Sequence, residues 1–176
     1  MVLRVIEFPH AVIVEGAIAP ARAAELRRDL VFERYVLLDR GSYEVAAVAD
    51  ERTIHDVLDR VGRELGLDGS ILAVGARVVR LRPGGYLLAR HDDVHAAIVT
   101  GNESRRRFEL VLDLSPAPAV AEIHYRRRGQ LFFRVPCVPG SLAIVERTAT
   151  VTCNHAYVSK LAPAAEVVRL IVQAVA

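Results

Sequence analysis

The spacing of apolar residues along the chain changes near residue 69. Before that point, β-branched residues at 2–15 predict one or two strands interrupted at Pro9. Residues 19–30 are rich in strong helix formers and carry an early proline, which predicts a helix. Apolar residues at three- and four-residue spacing predict a second helix over 50–65. The first part of the chain is therefore expected to supply strand and helix.

After residue 69, short apolar runs alternate with turn residues such as Pro83-Gly84-Gly85 and Pro139-Gly140. Strands are predicted at residues 71–81, 86–93, 108–114, 119–126, 130–135, 141–146, 148–158 and 166–175. Many short strands separated by turns are typical of sandwiches and barrels. We therefore expect one α+β, mainly β domain over 1–176, in which the N-terminal strand and two helices of 1–68 pack against a barrel of 69–176.

The composition indicates the class of protein but does not indicate a specific function. The chain has 176 residues, of which 52% are hydrophobic and 25% charged, as in a globular domain. A net charge of +2 does not by itself imply a nucleic-acid partner. No apolar run approaches the roughly 20 residues of a membrane span, and no signal peptide is evident. Cys137 and Cys153 lack zinc-type spacing, so we expect reduced thiols in a cytoplasmic protein, with their pairing left open.

His91 and Asp93 are the residues most indicative of chemistry. They lie two positions apart on a predicted strand, so their side chains should point to the same face. A second histidine from a distant strand, His155, can complete three ligands on one side of a metal and leave three positions open, as in non-haem Fe(II) oxygenases. His95 could extend the ligand set, although the chain is expected to be leaving the strand at that point. His10, His55 and His124 have no partner pattern and are interpreted as structural.

Arg169 lies on a predicted strand whose two faces are both largely apolar. Burial of its charge is costly unless an anion matches it. Two partners are open from the sequence alone, a bound dicarboxylate or an internal Asp or Glu.

Longer segments around these residues resemble a known family. Residues 77–86 followed by His91-x-Asp93 are similar to the Fe(II)- and 2-oxoglutarate-dependent dioxygenase superfamily, in its prolyl-4-hydroxylase-like branch. Residues 108–115 resemble the family's apolar strand ending in a Leu-polar pair. Residues 139–145 resemble the proline-glycine turn and strand before its second metal histidine, here His155. The resemblance extends over nearly the whole chain.

The resemblance implies a double-stranded β-helix, or jelly-roll, barrel with two N-terminal helices packed against it. It implies Fe(II) held by His91, Asp93 and His155, with 2-oxoglutarate chelating the metal and Arg169 pairing with its C5 carboxylate. Oxidative decarboxylation would produce an Fe(IV)-oxo species that hydroxylates an unknown substrate, with ascorbate as a candidate reductant for the iron. Tyr86 could donate its hydroxyl to the same carboxylate or simply fill the core.

The chain departs from the family pattern at three places. The gap between His155 and Arg169 is longer than usual, Ile171 stands where a small hydroxyl residue is common, and residues 120–121 are Val-Ala instead of Gly-Gly. Two alternative functions on the same barrel stay open, a cupin-like metal protein and a non-enzymatic binding module.

The substrate class is also open between a protein side chain, a nucleic acid and a small molecule. Arginine triplets at 105–107 and 126–128 could attract an anionic substrate or a nucleic acid, although solvated loop charge is the favoured interpretation. No membrane partner is expected, and the sequence does not determine the oligomeric state.

Overall fold

The computed structural model of the chain describes residues 2–6, 9–37, 41–47, 51–66, 71–90 and 106–176. Its helices and strands are, in chain order, β1 (Val2–Ile6), β2 (Ala11–Val14), α1 (Pro20–Arg28), β3 (Glu33–Leu37), β4 (Gly41–Ala46), α2 (Glu51–Leu65), β5 (Leu72–Leu81), β6 (Tyr86–Arg90), β7 (Arg107–Asp113), β8 (Ala119–Arg127), β9 (Gln130–Cys137), β10 (Leu142–Glu146), β11 (Val151–His155) and β12 (Val167–Val175). Both predicted helices are confirmed, and so are the predicted strands that fall within the described residues. The end of the predicted strand at 86–93 lies outside the described residues.

The strands form one antiparallel sheet with the order β1-β2-β10-β7-β12-β5-β4-β6-β11-β8-β9, and β3 pairs with β4. Apolar residues of β2, β7 and β10 pack against those of β8, β9 and β11, although these strands lie far apart in that order. The sheet therefore curves back on itself into a nearly closed, barrel-like structure. This arrangement confirms the mainly β class with two helices.

Side-chain alternation along each strand separates two parts of the core. On β7, Leu110 and Leu112 join the apolar cluster that includes the buried face of α2, whereas Val111 faces the barrel interior. Leu170 and Ile171 of β12 divide between helix side and interior in the same way. Each fully buried side chain of this kind contributes roughly 1.5–3 kcal/mol. A charged residue that lies two positions from Val111 or Ile171 on the same strand therefore points into the barrel interior.

The predicted turn at 83–85 sets the start of β6, the strand that leads to His91. Gly85 donates its N–H to the Arg82 carbonyl oxygen at 2.6 Å, and Gly84 has a φ of 89°. A Cβ on Gly85 would lie 2.8 Å from that same carbonyl oxygen. The turn therefore requires glycine, and it brings β6 back alongside the sheet.

Strands β3 and β4 were not predicted from the sequence. They form a hairpin in which Tyr35 lies opposite Tyr43, and β4 then pairs with both β5 and β6. Cys137 and Cys153 are both buried and are free thiols in this structure. None of the described helices is long and apolar enough to cross a membrane.

Candidate functional site

Arg169 is a fully buried charge in the barrel interior. It alternates with Val168 and Leu170, which face the helices, and its side chain is only 1% exposed. Across the β7–β12 ladder it lies directly opposite Asp113, which is also 1% exposed. The Arg169 Nε atom lies 3.8 Å from Asp113 Oδ2. Burial lowers the pKa of the Arg169 guanidinium, and the Asp113 carboxylate opposes that shift. The sequence allowed either a bound dicarboxylate or an internal Asp or Glu as the partner of Arg169. The structure contains the internal partner, Asp113.

The other nitrogens of Arg169 also have internal partners. Nη2 donates to the Ala121 carbonyl oxygen at 3.0 Å, and Nη1 lies 3.4 Å from Nδ1 of His155. Since a guanidinium has donors only, Nδ1 of His155 must accept this hydrogen bond. A neutral imidazole that accepts at Nδ1 carries its proton on Nε2. We call Asp113, His155 and Arg169 the Arg169 cluster.

Asp113 is held in place by the turn that follows β7. Its Oδ1 accepts a hydrogen bond from the Ser115 N–H at 2.8 Å. The Ser115 hydroxyl in turn accepts from the Val168 N–H at 3.0 Å and lies 3.4 Å from the thiol of Cys137. Burial and the nearby Asp113 raise the pKa of the Cys137 thiol. Among the described residues, by contrast, the buried atoms Asp113 Oδ2 and Arg169 Nε have no hydrogen-bond partner.

The predicted metal ligands are only partly covered by the structure. His91 and Asp93 lie outside the described residues, while His155 is buried on β11 with 2% exposure. Strands β6 and β11 are neighbours, with His155 opposite Leu87 and Cys153 opposite Arg90. Among the described residues, no group of three or more potential ligands could hold a metal ion.

Tyr86 is not brought to Arg169. It is half-buried at the start of β6 and pairs with Ser42 of β4. Its neighbour Leu87 is 1% exposed and belongs to the interior cluster that also contains Ile171. Because successive side chains of a strand point to opposite faces, Tyr86 faces away from that interior.

No family model matches this sequence, and no curated protein is significantly similar to it. Solved structures of similar shape were found. A 2OG-Fe(II) oxygenase family oxidoreductase from Burkholderia pseudomallei has a TM-score of 0.68 at 14% identity, covering 93% of this chain and 84% of its own. The viral collagen prolyl hydroxylase of Paramecium Bursaria Chlorella virus-1, in a 2OG complex, has a TM-score of 0.63 at 12% identity, with 94% and 96% coverage.

A third similar structure contains a bound peptide. The prolyl hydroxylase from Trichoplax adhaerens, in complex with a hypoxia inducible factor peptide fragment, has a TM-score of 0.61 at 13% identity, covering 94% of this chain and 82% of its own. The chain has the fold of the 2OG-Fe(II) oxygenases. The fold that the family resemblance implies is thereby confirmed, and two of these three similar structures are prolyl hydroxylases.

A second buried polar group lies toward the other end of β7 in this oxygenase fold. The Tyr125 hydroxyl donates to Oε1 of Glu109, and Nη1 of Arg147 lies 3.1 Å from Oε2 of the same carboxylate. Burial raises the pKa of Tyr125 well above its ordinary value, and the Glu109 charge adds to the shift. Sequence reasoning missed both Glu109 and Asp113. Their inward orientation could have been predicted, because each carboxylate lies two positions from Val111, which faces the barrel interior.

His124 lies on the outer face of the oxygenase barrel. Its Nε2 is 2.9 Å from a carboxylate oxygen of Glu122, two residues earlier on β8. The inward residues of this strand are Ile123 and Tyr125, both 0% exposed. The interpretation of His124 as a structural residue agrees with this position.

Proposed function

We propose that the chain is an Fe(II)- and 2-oxoglutarate-type dioxygenase, which uses a metal and a 2-oxo acid to hydroxylate a substrate still to be identified. The observation that carries the proposal is the fold, shared over more than nine tenths of the chain with oxygenases of this type. The strand sets β10-β7-β12-β5 and β6-β11-β8-β9 support a double-stranded β-helix, or jelly roll.

The proposed metal ligands are His91, Asp93 and His155. Their support is that His91 and Asp93 directly follow β6, the neighbour of the strand that carries His155. When bound, iron and a 2-oxo acid would supply the oxidative decarboxylation that activates O2 for hydroxylation. His155 can offer Nε2 to a metal only with its proton on Nδ1. Metal binding through Nε2 would therefore end the hydrogen bond that Arg169 donates to Nδ1.

The described residues do not fit the C5 carboxylate of 2-oxoglutarate at Arg169. The guanidinium already lies beside Asp113, and two of its nitrogens have partners in His155 and Ala121. Tyr86 lies on the opposite face of its strand. We therefore derive no binding step through that carboxylate.

The same observation favours a second candidate function, a non-enzymatic binding module on the oxygenase barrel. Because Asp113 balances the buried charge of Arg169, the fold needs no bound ligand for that purpose. A cupin-like metal protein on the same barrel would likewise need no co-substrate anchor.

The substrate and the reductant belong to the same proposal. Polypeptides are the first class to screen, because one structure of the same fold is a prolyl hydroxylase in complex with a peptide fragment. Ascorbate would be included to keep iron reduced. Nucleic acids and small molecules follow in the same screen.

The deciding experiment is anaerobic addition of Fe(II) and then a 2-oxo acid in large excess. The proposal predicts a weak visible charge-transfer band that needs both additions, because only bidentate chelation of the metal by the 2-oxo acid produces it. Alanine at Asp93 should abolish the band, and Glu122→Gln on the outer face of β8 should retain it. A band that never forms would favour the non-enzymatic or cupin-like barrel.

A further inference from the structure

We infer that the Arg169 cluster receives a neutral group with both a donor and an acceptor, such as a carboxamide, and disfavours a carboxylate. The inference rests on the proposed function, since it names the distal group of the 2-oxo acid that the barrel would bind. The observations behind it are the position of Asp113 and, among the described residues, one buried atom on each of Asp113 and Arg169 that has no hydrogen-bond partner.

The first observation concerns charge. Arg169 and Asp113 are each 1% exposed, and together they carry no net charge. A carboxylate that reaches the Arg169 Nε–H also comes close to Asp113 Oδ2, which lies 3.8 Å from that nitrogen. Repulsion by the Asp113 carboxylate therefore offsets part of the attraction to Arg169. The cost of removing the ligand's charge from water is then only partly compensated.

The second observation concerns hydrogen bonding. Within the part of the chain that the structure describes, Arg169 Nε is a buried donor without a partner and Asp113 Oδ2 a buried acceptor without one. A carboxamide has an oxygen that accepts and an NH2 that donates, so one such group can serve both atoms. An ionised carboxylate only accepts, and it would leave Asp113 Oδ2 facing another acceptor. The pair therefore complements a neutral group.

Asp113 cannot easily move aside for an anionic ligand. Its backbone is paired with β12, and its Oδ1 accepts the Ser115 N–H at 2.8 Å. Rotation away from Arg169 would break that bond and leave a buried N–H unpaired. The carboxylate is thus a lasting part of the site, and Asp113 acts as its specificity determinant.

The test compares two probes that share the same 2-oxo acid head. These are 2-oxoglutarate and the open-chain form of 2-oxoglutaramate, in which a carboxamide replaces the C5 carboxylate. Because the amide closes to a lactam in solution, its open-chain concentration is measured by NMR and used to calculate the affinity. Affinities for the metal-loaded protein are measured by calorimetry under anaerobic conditions. We expect the unmodified chain to bind the amide at least about tenfold more tightly, the ratio that corresponds to roughly 1.4 kcal/mol.

Asp113→Asn is the matched variant, because its side-chain oxygen can still accept the Ser115 N–H. It leaves Arg169 without an internal anion, so the preference should reverse in favour of 2-oxoglutarate. Glu122→Gln, which removes a carboxylate from the outer face of β8, is the control and should keep the preference of the unmodified chain. Metal content and thermal unfolding are recorded for every variant.

Two outcomes would overturn the inference alone, and a third would overturn the proposed function as well. Tighter binding of 2-oxoglutarate by the unmodified chain overturns the inference, as does an Asp113→Asn protein whose preference is unchanged. If Asp113→Asn does not fold, the comparison of the two probes on the unmodified chain still decides. Failure of both probes to bind the metal-loaded chain would overturn the proposed function and the inference with it.

Discussion

Replacement of Arg169 by Met tests whether Asp113 is the resident partner of this buried charge. Methionine fills a similar volume, but it leaves the Asp113 carboxylate in the barrel interior with the Ser115 N–H as its described hydrogen-bond donor. Loss of one partner of a buried ion pair costs about 3–5 kcal/mol. The Ala121 carbonyl oxygen loses its hydrogen bond from Nη2 in addition. Against a total stability of roughly 5–15 kcal/mol, the change is large.

The assay is urea unfolding of the ligand-free protein, followed by circular dichroism. We expect Arg169→Met to lose about 3–5 kcal/mol of unfolding free energy. The double variant with Asp113→Asn should be more stable than Arg169→Met alone, because no unpaired charge remains buried. The control is Arg134→Met, since the Arg134 side chain is 54% exposed and its nearest Glu122 oxygen is 3.6 Å away. This control should change stability by less than about 1 kcal/mol.

Two results would refute the reasoning. An Arg169→Met protein that loses less than about 1 kcal/mol would show that Asp113 does not depend on Arg169. If the double variant is no more stable than Arg169→Met, the loss of unfolding free energy comes from packing and not from an unpaired buried Asp113 carboxylate. In either case Arg169 would again be available as an anchor for a ligand carboxylate.

Two further predictions concern other parts of the chain. We expect alanine at any predicted metal ligand (His91, Asp93 or His155) to abolish Fe(II) binding measured by anaerobic dialysis, whereas His124→Ala should bind normally. Burial raises the pKa of Glu146, but hydrogen bonds from Arg106 and the His10 N–H outweigh this and lower it overall. The resulting stabilisation is present above the ordinary value of 4.5 and is lost as pH falls through the lowered pKa. Glu146→Gln should therefore cost about 1 kcal/mol in urea unfolding at neutral pH and progressively less in acid; a constant difference would contradict this.

Some elements could be predicted because their signals are local. The alternation around Val111 and Ile171 and the required glycine at Gly85 depend on neighbours within a few residues. Strands β3 and β4 could not, because each is short and the charged Glu44 of β4 has a partner on another strand. Glu44 of β4, for example, is hydrogen-bonded to Arg80 of β5. Such strands are stabilised by cross-strand pairing, which a single segment does not reveal.

The sequence by itself determined that Arg169 points into a core and that its charge needs a partner, because strand alternation and the cost of burial are local properties. Only the tertiary structure decided that the partner is Asp113, 56 positions earlier, since β7 and β12 become neighbours through long-range pairing. The pairing of β11 with β6 likewise decided that His155 lies opposite Leu87, and the folded barrel brings its Nδ1 within 3.4 Å of Nη1 of Arg169. Coulombic attraction and hydrogen bonding act across a few ångströms of space, and the separation of two residues along the chain does not determine that distance.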